Sequence, residues 1–414
     1  MDKINKIFKD YDREKIFFYS MIFWPIIFTI NELIKFPSVL LVLIEIMIML
    51  FYFWGFSREK FKKLILLIGI PIVVQLILLL NGSTFGSINM GDIINWAKFT
   101  IRWTEMITIL FIFSDKVVLS KLKELSFKSI KYIFSYSIII VLIEILYLFL
   151  DAGYESLWEG RYFKAYNYSP HVNSYFLIMP MIAFIYCYYN MKSIQKKAIS
   201  FLGASACLGL NLLTGARTTA VIAIGIFVLV ILAVIVKNKK LVIYSVIAII
   251  SLFIINYIFN IVDITKIPLF QKFIQVSNDP SGFLNGRNYI WLAQFKYIKE
   301  AFGFVNYTFG VGLAQSMRIN DMYISQSLWA HNDLIETLIG GGICSLGIYI
   351  ATYVQYFHKN KAYILGGILF IILFFNGLFV YSELVTFIPF ITITLSMYFK
   401  DVIILLEKNV GVDI

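Results

Sequence analysis

The sequence predicts an all-α, polytopic membrane protein with about twelve spanning helices. Composition is the first reason. The chain is 60% hydrophobic and 15% charged, whereas a soluble globular domain is about 45–50% apolar and about 25% charged. No soluble core could hide that much apolar surface, but a bilayer is itself an apolar solvent. Run length is the second reason: apolar stretches repeatedly approach the roughly 20 residues that cross the hydrocarbon layer. The third is the alternation of Lys and Arg between successive loops.

In chain order the spans fall near residues 16–32, 38–56, 63–80, 94–113, 130–150, 174–190, 198–213, 218–236, 241–259, 333–356, 362–380 and 384–400. The first run is short, but no small-residue cleavage motif follows it, so it reads as a retained helix. Basic clusters at 3–15, 58–63, 116–131, 192–197, 237–240 and 359–361, with Lys400 and Lys408, hold 24 of the 36 Lys and Arg residues. The intervening short loops 81–93 and 381–383 hold none. This pattern predicts both termini on the cytoplasmic side and residues 1–414 as one membrane domain. The net charge of +11 then reflects orientation, and no nucleic-acid partner is expected. Cys187, Cys207 and Cys344 sit in apolar runs without metal or disulfide spacing and read as small core residues.

Two outward segments are long: 151–173, and 260–332 between the ninth and tenth spans. A connection of about 70 residues usually has a functional reason. Within it Trp291, Phe295, Ile298 and Phe302 recur at helical spacing, with Lys296, Lys299 and Glu300 off the stripe. That pattern predicts an amphipathic helix lying at the outer interface.

The chemistry-bearing residues cluster in the same places. Gly286-Arg287 directly precedes the interfacial helix. Free amides at a helix start attract anions, and a guanidinium adds a bidentate fork for phosphate oxygens; a surface arginine among lipid headgroups is the alternative. Trp329-Ala330-His331-Asn332-Asp333 opens the tenth span. Helix polarity disfavours imidazolium there, so His331 suits a neutral general base, or else serves only as a cap beside Asn332 and Asp333. Leu213-Thr214-Gly215-Ala216-Arg217 forms a very short outward loop, where Arg217 either serves a site or snorkels to the headgroups. The 151–173 segment holds Arg161 and then Pro170-His171-Val172-Asn173. Lys98, Arg102 and Glu105 share one face of the fourth span. They form ion pairs inside the bundle, with Glu45 and Glu144 as further candidate partners, or line a cleft for lipid phosphate. No nucleotide-binding loop, nucleophile elbow or zinc motif is present, and no metal or cofactor is expected.

Several pieces together resemble the O-antigen polymerase and O-antigen ligase family of bacterial surface-polysaccharide enzymes. They are Thr214-Gly215-Ala216-Arg217, Gly286-Arg287 with Trp291 four residues on, Phe309-Gly310-Val311-Gly312, His331-Asn332, and Gly340-Gly341-Gly342. The stretch from Arg161 to Asn173 is similar to the family's arginine, then proline-x-asparagine segment, with His171 inserted. The resemblance covers roughly residues 160–350; the first 150 match only in being hydrophobic.

This resemblance implies a metal-independent glycosyltransferase in the bacterial cytoplasmic membrane, its site facing outward. The donor is an oligosaccharide on undecaprenyl diphosphate. An acceptor hydroxyl attacks the anomeric carbon and the lipid diphosphate leaves. Arg217 and Arg287 are implied to neutralise the diphosphate and His331 to take the acceptor proton. Arg161, His171, Asn173, Asn332, Lys98 and Arg102 are further candidates for substrate contact. Implied partners are the lipid-linked donor and acceptor, membrane lipids, and flippase and chain-length regulator proteins. Polymerisation of capsule, exopolysaccharide or O-antigen repeats is the leading reading. A ligase acting on another acceptor shares these motifs. A lipid-linked oligosaccharide flippase would have shorter loops, though Lys98, Arg102 and Glu105 would suit its cavity.

Overall fold

A computed structural model describes residues 13–35, 43–44, 47–48, 58–81, 89–157, 160–237, 268–269, 271, 286–359, 377 and 394. Four expected spans, 38–56, 241–259, 362–380 and 384–400, lie outside these residues apart from isolated positions. So does most of the long loop before residue 286.

The apolar runs fold as helices where the sequence has them. They are α1 (Arg13–Ile34), α2 (Arg58–Leu80), α3 (Met90–Phe113), α5 (Ile130–Tyr147), α6 (Pro170–Asn190), α7 (Ile194–Leu213), α8 (Arg217–Lys237) and α12 (Asp333–Lys359). Five helices among the described residues are long and apolar enough to cross a membrane: Lys15–Ile34 within α1, Lys62–Leu80 within α2, α5, α6 and α12. The protein is therefore mostly helical and built for a membrane. The starts follow ordinary capping chemistry. Asn89 and Asp92 form a reciprocal box at α3 (2.9 and 3.1 Å). At α6 the Ser169 hydroxyl accepts from the Val172 amide (3.3 Å) and Pro170 occupies the first turn.

Further helical and extended elements appear where the sequence reads as loop. Helix α4 (Lys116–Lys128) fills the basic 114–131 connection. A two-stranded antiparallel ribbon, β1 (Tyr154–Leu157) and β2 (Gly160–Phe163), folds within 151–173, with Tyr154 opposite Phe163, so the all-α expectation needs this one amendment. Strands of four residues are too short to display a period. Helices α10 (Phe304–Phe309) and α11 (Ser316–Ile324) follow α9 (Arg287–Ala301), the helix expected at the interface.

Helix α9 turns the face beside the expected stripe into the protein. Its buried side chains are Ile290, Ala293, Gln294 and Tyr297, while Phe295 is 48% exposed. Tyr297 joins Val311, Ile319, Ala330, Ile335 and Ile339 in a core, with Trp291, Ile298 and Phe302 packed at its edge. The helix is apolar on two adjacent faces, so spacing alone cannot choose between protein and lipid.

The chain groups into two compact units. The first comprises Met1–Leu125 with Ser281–Pro389, the second Ser126–Pro280 with Phe390–Ile414. In the first, α12 packs against α10, α3 and α2. It is also broken: Gly342 has φ 64° and ψ −169°, which interrupts the helical ladder and strands carbonyls upstream. The segment after α10 takes them. The Val311 amide donates to the Ile339 carbonyl (2.9 Å) and the Gly312 amide to the Gly340 carbonyl (2.8 Å). This close approach explains both glycine clusters. A β-carbon on Gly310 would collide with the Gly340 carbonyl, and one on Gly342 with the Thr308 carbonyl. A broken helix at membrane depth survives only when neighbours satisfy its freed backbone groups in this way.

In the second unit α6 is the centre, packed on α7 and α5. It is buried almost throughout from Asn173 to Cys187. Its Asn173 belongs to a buried polar knot: the Asn167 amide donates to Asn173 Oδ1 (2.7 Å), and Asn173 Nδ2 donates to Glu144 Oε2 (3.2 Å).

Candidate functional site

In the first unit a buried carboxylate organises the neighbourhood of His331. Glu336, one turn into α12, is 1% exposed. It accepts from the Ala314 amide (2.9 Å), the Ala330 amide (3.2 Å) and, at short range, the Ser316 hydroxyl. One side chain thereby ties the start of α11 to the loop entering α12. The Ala330 carbonyl is held from the other side by Trp291 Nε1 of α9 (2.8 Å). Arg287 lies one turn before Trp291, so the Gly286-Arg287 start and the His331 loop belong to one framework although they are more than forty residues apart. Gly286 has φ 78°, a conformation that suits glycine at this entry.

His331 follows directly and is strained, with φ 50°. Non-glycine residues in the left-handed region are uncommon, and such strain persists where surrounding contacts over-determine it. Those contacts are visible. Trp329 Nε1 donates to His331 Nδ1 (2.8 Å) and the two rings lie 5.0 Å apart. Trp329 also packs near Phe99 of α3, at 6.5 Å between centroids. Asn332 caps α12, its Oδ1 accepting from the Leu334 and Ile335 amides (3.0 and 3.2 Å). Asp333 accepts from the Tyr349 hydroxyl (3.0 Å). His331 is thus not the cap: Asn332 performs that task, and the half-buried imidazole is held beside it. Burial also pushes the Tyr297 phenol beneath this loop well above its ordinary range.

Helix α3 carries Lys98 and Arg102, both half-buried, on either side of Phe99, with Glu105 buried one turn further. Its first turn supplies an ion pair that the sequence did not suggest: Arg318 of α11 to Asp92 (2.9 Å).

The remaining candidates lie in the second unit. Thr214-Gly215-Ala216 forms the tight turn between α7 and α8, and Arg217 is the first, half-buried residue of α8. Gly215 has φ 66°, and a β-carbon there would meet the Tyr162 ring at 2.6 Å. The ribbon therefore lies on this turn. Arg161, next to Tyr162, pairs with exposed Asp151 (2.5 Å) and sits 4.2 Å from the Tyr154 ring centroid. His171 is half-buried in the first turn of α6. Asn173 is fully buried in the knot with Glu144, so its side chain faces protein and not a ligand surface. The expectation that Glu144 partners Lys98, Arg102 or Glu105 is replaced by this pairing.

Sequence reasoning missed Glu336, Trp329 and Arg318. Glu336 carried one readable signal, an acid inside an apolar span. Trp329 stood within the quoted motif but without an assigned task.

Chemically, the first-unit site presents an imidazole held rigidly at the start of a long helix, with a guanidinium one turn from a tryptophan that braces the same loop. Such an arrangement can offer a cation and a hydrogen-bonding ring to an anion. No protein-family model matches the chain, and no curated protein matches its sequence.

Proposed function

We propose that the protein is a polymerase that joins oligosaccharide repeats carried on undecaprenyl diphosphate into a surface polysaccharide. Its setting is the outer face of a bacterial cytoplasmic membrane, with about twelve spans and both termini inside. The observation that carries this reading is the Trp291–Ala330 hydrogen bond (2.8 Å). It joins the arginine-bearing start of α9 to the histidine loop, the two pieces on which the family resemblance chiefly rests. A diphosphate leaving group needs cationic donors as its charge develops, and Arg287 has the planar fork for it. Arg217 remains a candidate on the strength of the resemblance.

The test is deletion of the gene, with the surface glycan then resolved on a gel. The proposal expects single repeats in place of long chains, restored by the wild-type gene and not by His331→Ala. Long free glycan on its lipid carrier would instead identify a ligase. Repeats trapped on the inner leaflet would identify a flippase.

A further inference from the structure

We propose that the seam between α3 and the start of α11 is a gate to the His331 loop, latched by the Arg318–Asp92 ion pair. What passes the gate, a hydroxyl-rich chain, rests on the polymerase reading; the gate itself rests on geometry. Both helices belong to the first unit.

Successive turns of α3 form one wall. Asp92 holds Arg318 at 2.9 Å, with side chains 12% and 27% exposed, so solvent reaches the pair. Trp96 follows one turn on and Phe99 the next. Spacing of i, i+4 and i+7 puts all three on one side of a helix. Phe99 packs near Trp329, whose indole donates to His331. The wall that begins at the ion pair thus ends at the candidate histidine. On the other wall Gln315 directly precedes α11, three residues before Arg318. Trp96 Cδ1 and Gln315 Cγ each lie 3.4 Å from the point where a β-carbon on Gly312 would stand, so the two side chains meet behind the latch. Packing is looser here than at the glycine crossing. A β-carbon on Gly312 would make only ordinary contacts, whereas one on Gly310, Gly340 or Gly342 would collide with backbone.

The seam is also polar and unsatisfied. Among the described residues Trp96 Nε1, Gln315 Oε1 and, one turn past Trp96, Thr100 Oγ1 are buried without a hydrogen-bond partner. A permanent contact is best made of apolar groups, because a buried polar group left unpaired is costly. Here that cost falls on the closed state. Opening lets these groups bond to water or to sugar hydroxyls, and each one satisfied favours the open state by about ten-fold. The ion pair opposes opening. A partly exposed pair is a weak tie, so the latch holds the seam and still releases it.

Hydrogen exchange of the full chain in lipid nanodiscs reads the gate, with the α6 amides of the second unit as reference. Arg318→Gln should speed exchange of the α11 amides about three-fold or more. Unchanged α11 exchange relative to α6 overturns the latch. Gln315→Met nearly keeps the volume and removes the unpaired oxygen, so it should slow the same exchange about ten-fold. Exchange that is unchanged or faster overturns the polar gate. Complementation of the deletion strain then reads the passage. Gln315→Met should lower long-chain polymer about ten-fold, in step with the lost opening; wild-type polymer despite slowed exchange overturns the route to His331. Normal surface glycan in the deletion strain would sink the polymerase reading, and the exchange rates would still decide the gate.

Discussion

Two buried glutamates invite comparison, because each anchors one of the loops that the sequence singles out. Glu144 in the second unit accepts from Asn173, which accepts in turn from Asn167. All three side chains are at most 2% exposed, and every named partner is another neutral side chain. Glu336 in the first unit accepts from two backbone amides and a hydroxyl. The residue after one of those amides is a strained, half-buried histidine. The first arrangement holds a helix start against its neighbour. The second holds the loop that carries the candidate His331. Burial of an acid is common to both, and only what its partners carry separates scaffold from site.

The comparison breaks most readily at Glu336. Glu336→Ala leaves two buried amides and a hydroxyl without their acceptor, and each unsatisfied buried group costs about 1–3 kcal/mol. The expected loss is about 3–5 kcal/mol in detergent unfolding; a loss under about 1 kcal/mol would mean that the loop does not depend on this clamp. His331→Ala should act on rate instead. Turnover per folded molecule should fall roughly 10²-fold or more with little change in melting, and unchanged turnover would reduce His331 to a bystander. Gly310→Ala comes next. Its methyl meets the Gly340 backbone, which cannot retreat, and the φ of 77° adds strain. Stability should drop by about 1–3 kcal/mol, and an unaltered melting temperature would contradict the close crossing. Asn173→Ala sharpens the contrast with His331. It should cost about 1–3 kcal/mol of stability and leave turnover per folded molecule intact; selective loss of turnover would return Asn173 to the substrate. The smallest effect is expected of Arg161→Ala. Its pair with Asp151 is solvent-exposed on both sides, and such pairs contribute about 0–1 kcal/mol, so an unfolding shift beyond that range would give the ribbon a larger part.

The sequence located apolar helices well where they are described, because a run of apolar residues is a local property; five of them are long and apolar enough to cross a membrane. All eight expected spans within the described residues fold as helices. It also singled out candidate loops, since arginine and histidine are conspicuous beside membrane helices. It was less able to say what each conspicuous residue does. Asn173 and His331 looked equally exposed as letters, yet one is sealed in an amide knot and the other is held at a surface. The two glycine clusters read only as pieces of the family resemblance, one in the long loop and one in the tenth span. They are a backbone crossing that only appears once residues 311–312 meet 339–340.

Composition, hydropathy and charge alternation thus determined by themselves that this is a helical membrane chain, because the transfer of apolar side chains into lipid depends on each residue's own chemistry. Tertiary structure alone decided the break in α12, the buried face of α9, and the partnership of Trp329 with His331. A hydrogen bond or a steric collision is a property of two groups brought together from different segments. One-dimensional spacing names the groups but cannot bring them within 3 Å of each other.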